Sequence, residues 1–109
     1  MDDAKTLCRL EDIPDRDAIA LTAALDDGAS ELVVLRDGAR AFAYHNECPH
    51  AGRRLDYAPG RFLVRDGRLI CAAHGATFAV EGGACLGGPC RSGLVAVAVE
   101  VVDGDVRLR

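Results

Sequence analysis

Residues 31–46 read Glu31-Leu32-Val33-Val34-Leu35-Arg36-Asp37-Gly38-Ala39-Arg40-Ala41-Phe42-Ala43-Tyr44-His45-Asn46. Two runs rich in aliphatic and aromatic residues, 31–36 and 39–46, flank Asp37-Gly38. That pair tolerates positive φ and predicts a two-residue hairpin turn. The same logic repeats outward. Residues 62–65 and 68–71 flank Asp66-Gly67, and Asp103-Gly104 precedes a strand over 106–108. Before that last turn Val95, Val97, Val99 and Val101 alternate with smaller or polar residues, which predicts a strand with its valines on a core. Residues 77–80 run into Glu81-Gly82-Gly83, which turns the chain into 84–86. Toward the start, 6–10 is expected as a first strand. Residues 18–24, closed by Asp26-Asp27-Gly28, are expected as the next; their alanines permit helix but form no apolar stripe. Pro14, Pro59 and Pro89 mark breaks between strands. The expectation is an all-β chain, an antiparallel sandwich or barrel, with residues 1–109 in a single domain.

The composition is globular: half of the 109 residues are hydrophobic and 28% are charged, which separates the chain from disordered sequences. No apolar run approaches the roughly 20 residues that span a bilayer. The opening Met1-Asp2-Asp3 has no basic segment followed by a hydrophobic one, so neither a secretory signal nor a membrane partner is expected, and the expected location is cytoplasmic. A net charge of -4 argues against a nucleic-acid partner held by phosphate neutralisation. The charge is uneven: residues 1–47 carry 11 acids and 5 bases, residues 48–109 carry 6 acids and 8 bases. Such asymmetry orients a partner without identifying one.

Chemistry concentrates in two short motifs, Cys48-Pro49-His50 and Cys71-Ala72-Ala73-His74, each directly after a predicted hairpin strand. Two loops at one end of a sheet can converge on one centre. Thiolates are soft anionic ligands and neutral imidazoles supply nitrogen, so the four side chains can close a coordination shell. Two centres satisfy that set. One is a structural zinc; the other is a two-iron cluster with two thiolates on one iron and two imidazoles on the other.

Cys48-Pro49-His50-Ala51-Gly52 followed by Cys71-Ala72-Ala73-His74-Gly75-Ala76-Thr77-Phe78 resembles the Rieske iron–sulfur family. The similarity runs over nearly the whole chain, through Gly87-Gly88-Pro89 to the final hairpin. The intervening segment is a few residues longer than in many Rieske ferredoxins of aromatic-ring dioxygenases. The resemblance implies one [2Fe-2S] cluster, with Cys48 and Cys71 on the inner iron and His50 and His74 on the outer, solvent-facing iron. It implies a Rieske-type antiparallel β base carrying a loop-rich cluster-binding subdomain, here about 46–91. Gly52 and Gly75 would let backbone pass close to the cluster. Gly87, Gly88 and Pro89 would form a third, covering loop.

Where high-potential members of that family place a disulfide between the ligand loops, this sequence has Arg53 and Ala73. Where they place serine and tyrosine donors it has Ala76 and Phe78. Fewer donors disfavour the more negative reduced state, so a low potential is expected. The function implied is a low-potential one-electron carrier between a reductase and an oxygenase or related redox enzyme, monomeric, without independent substrate turnover. A small subunit of a larger reductase complex, such as nitrite reductase, is the alternative, and a structural zinc module the further one. Arg53, Arg54 and Arg91 near the cluster loops suggest a docking rim for an acidic partner. Cys85 and Cys90 admit a local disulfide around Gly87-Gly88-Pro89, but a reducing compartment favours reduced thiols. Cys8 is expected to be structural, and His45 to be a surface or supporting residue outside the ligand set. Phe42, Tyr44, Phe62 and Phe78 are expected to pack within the β-domain, and Tyr57 is open.

Overall fold

The structure, a computed structural model, describes residues 6–25, 28–49, 52–72 and 75–109. Eleven strands account for its regular structure, together with one 3-10 turn at Leu10–Asp12 and no α-helix among the described residues. The strands are β1 (Thr6–Arg9), β2 (Ala18–Leu25), β3 (Gly28–Asp37), β4 (Arg40–His45), β5 (Leu63–Arg65), β6 (Arg68–Ile70), β7 (Thr77–Ala79), β8 (Cys85–Gly87), β9 (Ala96–Val97), β10 (Val99–Val102) and β11 (Asp105–Leu108). They form three sheets ordered β1-β11-β10, β2-β3-β4-β9 and β5-β6-β7-β8, every pairing antiparallel.

The run Leu32-Val33-Val34-Leu35 lies in the central sheet, and all four residues are fully buried. Successive strand side chains point to opposite faces, so one strand feeds two cores. Leu32 and Val34 join Ile13, Ala23, Ala43 and Val106 against the three-stranded sheet. Val33 and Leu35 join Tyr44, Leu69 and Phe78 against the β5–β8 sheet, and that second core also contains Cys48 and Cys71. The register agrees with this division: Val33 opposes Tyr44 and Val34 opposes Ala43. The three layers give an elongated body of 43 × 30 × 23 Å.

Tyr44 fastens the β5–β8 sheet to the centre. Its buried hydroxyl donates to the Val80 carbonyl at 2.6 Å, and its ring lies where a Cβ on Gly83 would meet it at 2.8 Å. Phe62 and Phe78 are buried, and half-buried Phe42 packs against the same core, all as expected; the Arg40 guanidinium carbon sits 4.9 Å from the Phe42 ring centroid. Cys8 packs at the edge of the other core. Burial, with Asp12 nearby, pushes its thiol up to about 11.

Two sequence expectations shift. The β3–β4 turn is Gly38-Ala39 rather than Asp37-Gly38, because Asp37 remains in the ladder opposite Arg40. Gly38 alone takes positive φ there, and its N–H donates to the Asp15 carboxylate at 2.8 Å. Glycine at the first central position is what this turn needs. Asp66-Gly67 and Asp103-Gly104 do form turns with positive φ at both residues. In the valine run Val97, Val99 and Val101 pack against the core as expected, but the run is two strands rather than one. It changes partner at Ala98, from β4 to β11, and Val95 is 62% exposed. The Asp26-Asp27 part of the β2–β3 turn lies outside the described residues.

Candidate metal centre

Cys48 and Cys71 head two loops of the same construction. In the first, the Cys48 N–H donates to the Arg53 carbonyl at 2.7 Å and the Gly52 N–H donates to the Cys48 carbonyl at 2.8 Å. In the second, the Cys71 N–H donates to the Ala76 carbonyl at 2.7 Å and the Gly75 N–H donates to the Cys71 carbonyl at 2.9 Å. The glycine four residues after each cysteine closes the turn at φ +67° and +77°, a conformation that excludes most side chains. A Cβ on Gly75 would meet no described atom within 4 Å, and one on Gly52 would meet only the Glu47 carboxylate at 3.9 Å. The requirement seen at both positions is conformational.

Both cysteines are 1% exposed and belong to one core cluster with Leu55, Ala76 and Phe78. Three loops meet around them. Ala72 of the second loop borders the same hollow as Gly52, Arg53, Arg54, Asp56 and Tyr57. Pro49 of the first borders another with Gly88, Pro89, Cys90, Arg91 and Ser92. Gly88 lies so close to the second loop that a Cβ there would come within 2.8 Å of the Gly75 carbonyl oxygen and 2.9 Å of Ala76 Cα. The segment Gly87-Gly88-Pro89 therefore covers the second ligand loop, with Gly88 and Pro89 exposed on its outer side.

His50, Ala51, Ala73 and His74 lie outside the described residues. Among the described residues no group of three or more His, Cys, Asp or Glu side chains gathers to hold an ion. The residues described fit the thiolate half of a cluster site: two buried soft donors on matching turns within one apolar shell. Ala76 and Phe78 are both fully buried and offer no hydroxyl.

Sequence reasoning missed Asn46. It is 6% exposed, its backbone N–H donates to the Glu31 carbonyl at 2.9 Å, and its side-chain oxygen accepts the Leu55 N–H at 2.8 Å. It thereby ties both ends of the first ligand loop together, while its Nδ2 has no hydrogen-bond partner among the described residues. The available signal was a polar residue two positions before Cys48 at a strand end. His45 is half-buried on β4 and bonded through its backbone to Val95.

The arginines divide. The Arg54 guanidinium forks onto Asp56, with contacts of 3.0 and 2.9 Å, and also pairs with Glu31. The Asp56 side chain is only 2% exposed, and Arg54 holds its carboxyl below the usual range. Arg54 is thus committed within the chain. Arg53 and Arg91 are exposed and make no ion pair among the described residues. Cys85 and Cys90 depart from the reduced thiols expected: they form a disulfide. The return of the chain after Pro89 brings their Cα atoms to 6.0 Å, inside the span a disulfide bridges.

A family model described as the Rieske [2Fe-2S] domain matches residues 4–101. The chain belongs to the Rieske [2Fe-2S] family. The cofactor of this Rieske chain is accordingly one [2Fe-2S] cluster. It is 40% identical over 58 residues to the ferredoxin component of an alkene monooxygenase system from Xanthobacter autotrophicus (strain Py2), covering 53% of this chain and 45% of that protein. The match thus spans about half the length of this curated relative. Its fold is similar to the ferredoxin of carbazole 1,9a-dioxygenase from Nocardioides aromaticivorans IC177, with TM-score 0.75, 26% identity, and coverage of 94% of this chain and 93% of that one. The Rieske fold is also shared with a structure described as an NADH-dependent nitrite reductase small subunit from Mycobacterium tuberculosis, at TM-score 0.69 and 22% identity, covering 94% and 90% of the two chains. No helix of the described residues is long and apolar enough to cross a membrane.

Proposed function

We propose that this Rieske chain is a low-potential one-electron carrier between a reductase and an oxygenase or related redox enzyme, with no substrate turnover of its own. Cys48 and Cys71 hold one iron as thiolates, and His50 and His74 hold the other. The observation that carries this reading is the pair of matching turns, which bury one sulfur each in a shared core. The cluster supplies reversible one-electron storage, and the remaining tasks fall to the chain. Gly52 and Gly75 close the ligand turns. Ala76 and Phe78 leave the second loop without hydroxyl donors, which keeps the potential low. Gly87-Gly88-Pro89 limits water at the site, and the exposed Arg53 and Arg91 meet an acidic partner. An oxygenase as electron acceptor is supported by the roles named for the alkene monooxygenase and carbazole dioxygenase ferredoxins. A cytoplasmic monomer, with residues 46–91 as its cluster-binding part, suits that role.

An anaerobic spectroelectrochemical titration tests the proposal. Rieske centres span about -150 to +300 mV. A reversible one-electron transition below about 0 mV is expected; a midpoint in the upper part of the range, or no reversible transition, contradicts it. A subunit of a larger reductase is the second reading. It is favoured by Tyr57, Leu86 and Val95, which are 54%, 53% and 62% exposed and would suit a persistent interface. Copurification with a partner through a high-salt wash would move the assignment there.

A further inference from the structure

We propose that Cys85 and Cys90 form a reversible disulfide, a two-electron site separate from the metal centre, which a protein dithiol opens to loosen the loop covering the second ligand turn. The bridge closes only five positions of sequence. Cross-linking so short a loop removes less entropy from the unfolded chain than bridging a long one, so the bond is a weaker staple for the whole fold than a long-range disulfide. Its effect on the covering loop is direct, because the ring encloses Leu86-Gly87-Gly88-Pro89, and Gly88 lies so close to Gly75 and Ala76 that an added Cβ would clash with them. Cys85 pairs with Phe78 on β7, the strand that leaves the second ligand turn. A change at the sulfurs therefore has a short mechanical path to that turn.

Acceptors for both thiols stand beside the pair. Cys85 Sγ lies 3.1 Å from the Cys90 carbonyl oxygen, and Cys90 Sγ lies 3.2 Å from the Gly87 carbonyl oxygen. A disulfide sulfur has no proton to donate; once reduction has parted the two sulfurs, each thiol has a backbone carbonyl close by to accept its proton. Access is unequal, with Cys85 half-buried and Cys90 buried. An incoming thiolate attacks Cys85 Sγ, breaks the S–S bond and releases Cys90 as a thiolate that takes up a proton. The second thiol of the reductant, as its thiolate, then attacks the mixed disulfide, releases Cys85, and leaves oxidised as a disulfide. Two electrons and two protons pass from the dithiol to the pair.

The test uses the full-length, cluster-loaded protein, equilibrated anaerobically with reduced and oxidised dithiothreitol or glutathione, acid-quenched and alkylated. Fragment mass spectrometry then separates Cys85 and Cys90 from the other cysteines. The expected result is that the two residues gain and lose labels together, reversibly, in the folded protein. Hydrogen exchange across residues 86–91 is expected to rise about tenfold in the dithiol form, and Cys85→Ser/Cys90→Ser is expected to match that faster exchange. A pair that reduces only after denaturation overturns the proposal, as does a pair that stays reduced under oxidised glutathione. Unchanged loop exchange on reduction overturns it too. The consequence for electron transfer rests on the carrier reading, and iron content and visible absorption follow that separately. A switching pair without a cluster sinks only the carrier reading; an inert pair beside an intact cluster sinks only this one.

Discussion

Ala76 and Phe78 carry the sharpest prediction about single residues. Both are fully buried in the core cluster that holds Cys71, and neither side chain carries a hydrogen-bond donor. Reduction adds one negative charge, so a new donor stabilises the reduced state more than the oxidised one. A net gain of about 1 kcal/mol corresponds to roughly 40 mV for a one-electron couple. Ala76→Ser and Phe78→Tyr are each expected to raise the midpoint by about that amount in redox titrations. An unchanged or lower midpoint in both variants contradicts the tuning argument. Much at this scale was legible, because cysteine and histidine at short spacing after a strand state their chemistry locally. Arg54 and Cys85 were not. The partners of Arg54 include Glu31, on a strand 23 positions away in sequence. The bridge at Cys85 depends on how the chain returns after Pro89. Asn46 escaped notice for the same reason, since its bond to Leu55 exists only once the ligand loop has closed.

Strands and loops were legible to within a residue or so wherever a turn was written in the sequence. Asp66-Gly67 and Asp103-Gly104 both form the turns they predict. Asp37-Gly38 does not, because the Asp15 carboxylate, from a distant loop, caps Gly38 and favours a turn one residue later. The valine run gave the face of Val97, Val99 and Val101 correctly but not the change of neighbour, since it crosses from one sheet to another at Ala98. Periodicity specifies which face a residue takes, not which neighbour the strand has. The covering loop gives a paired prediction. At Gly88 an added Cβ meets backbone at 2.8 Å, on top of a φ of +80°. Gly60 has a similar φ of +75° and open space around it. Gly60→Ala is therefore expected to cost about 1 kcal/mol from backbone strain alone. Gly88→Ala is expected to cost about 2–4 kcal/mol, adding overpacking to that strain. Equal losses in chemical denaturation would show that the loop does not press on the ligand turn.

At the scale of the molecule, β3 supplies both cores and thereby holds the metal-centre layer against the base. The acidic excess of residues 1–47 and the basic excess of 48–109 give the chain a charge asymmetry. With Arg54 committed to Asp56 and Glu31, the free positive charge at the loop end rests on Arg53 and Arg91. Arg53→Glu with Arg91→Glu is expected to slow electron exchange with an acidic partner about tenfold or more at low salt. Steering of this kind weakens as ions screen it, so the gap is expected to narrow at high salt. Equal rates at low salt, with the cluster absorbance intact, would remove the docking role. All of this depends on what Cys48, His50, Cys71 and His74 hold. Anaerobic purification followed by iron, acid-labile sulfide and zinc quantification measures it directly. Two iron and two sulfide per chain, lost when Cys48 or Cys71 is changed to Ser, is the predicted result for a [2Fe-2S] centre. A single zinc without sulfide would contradict it.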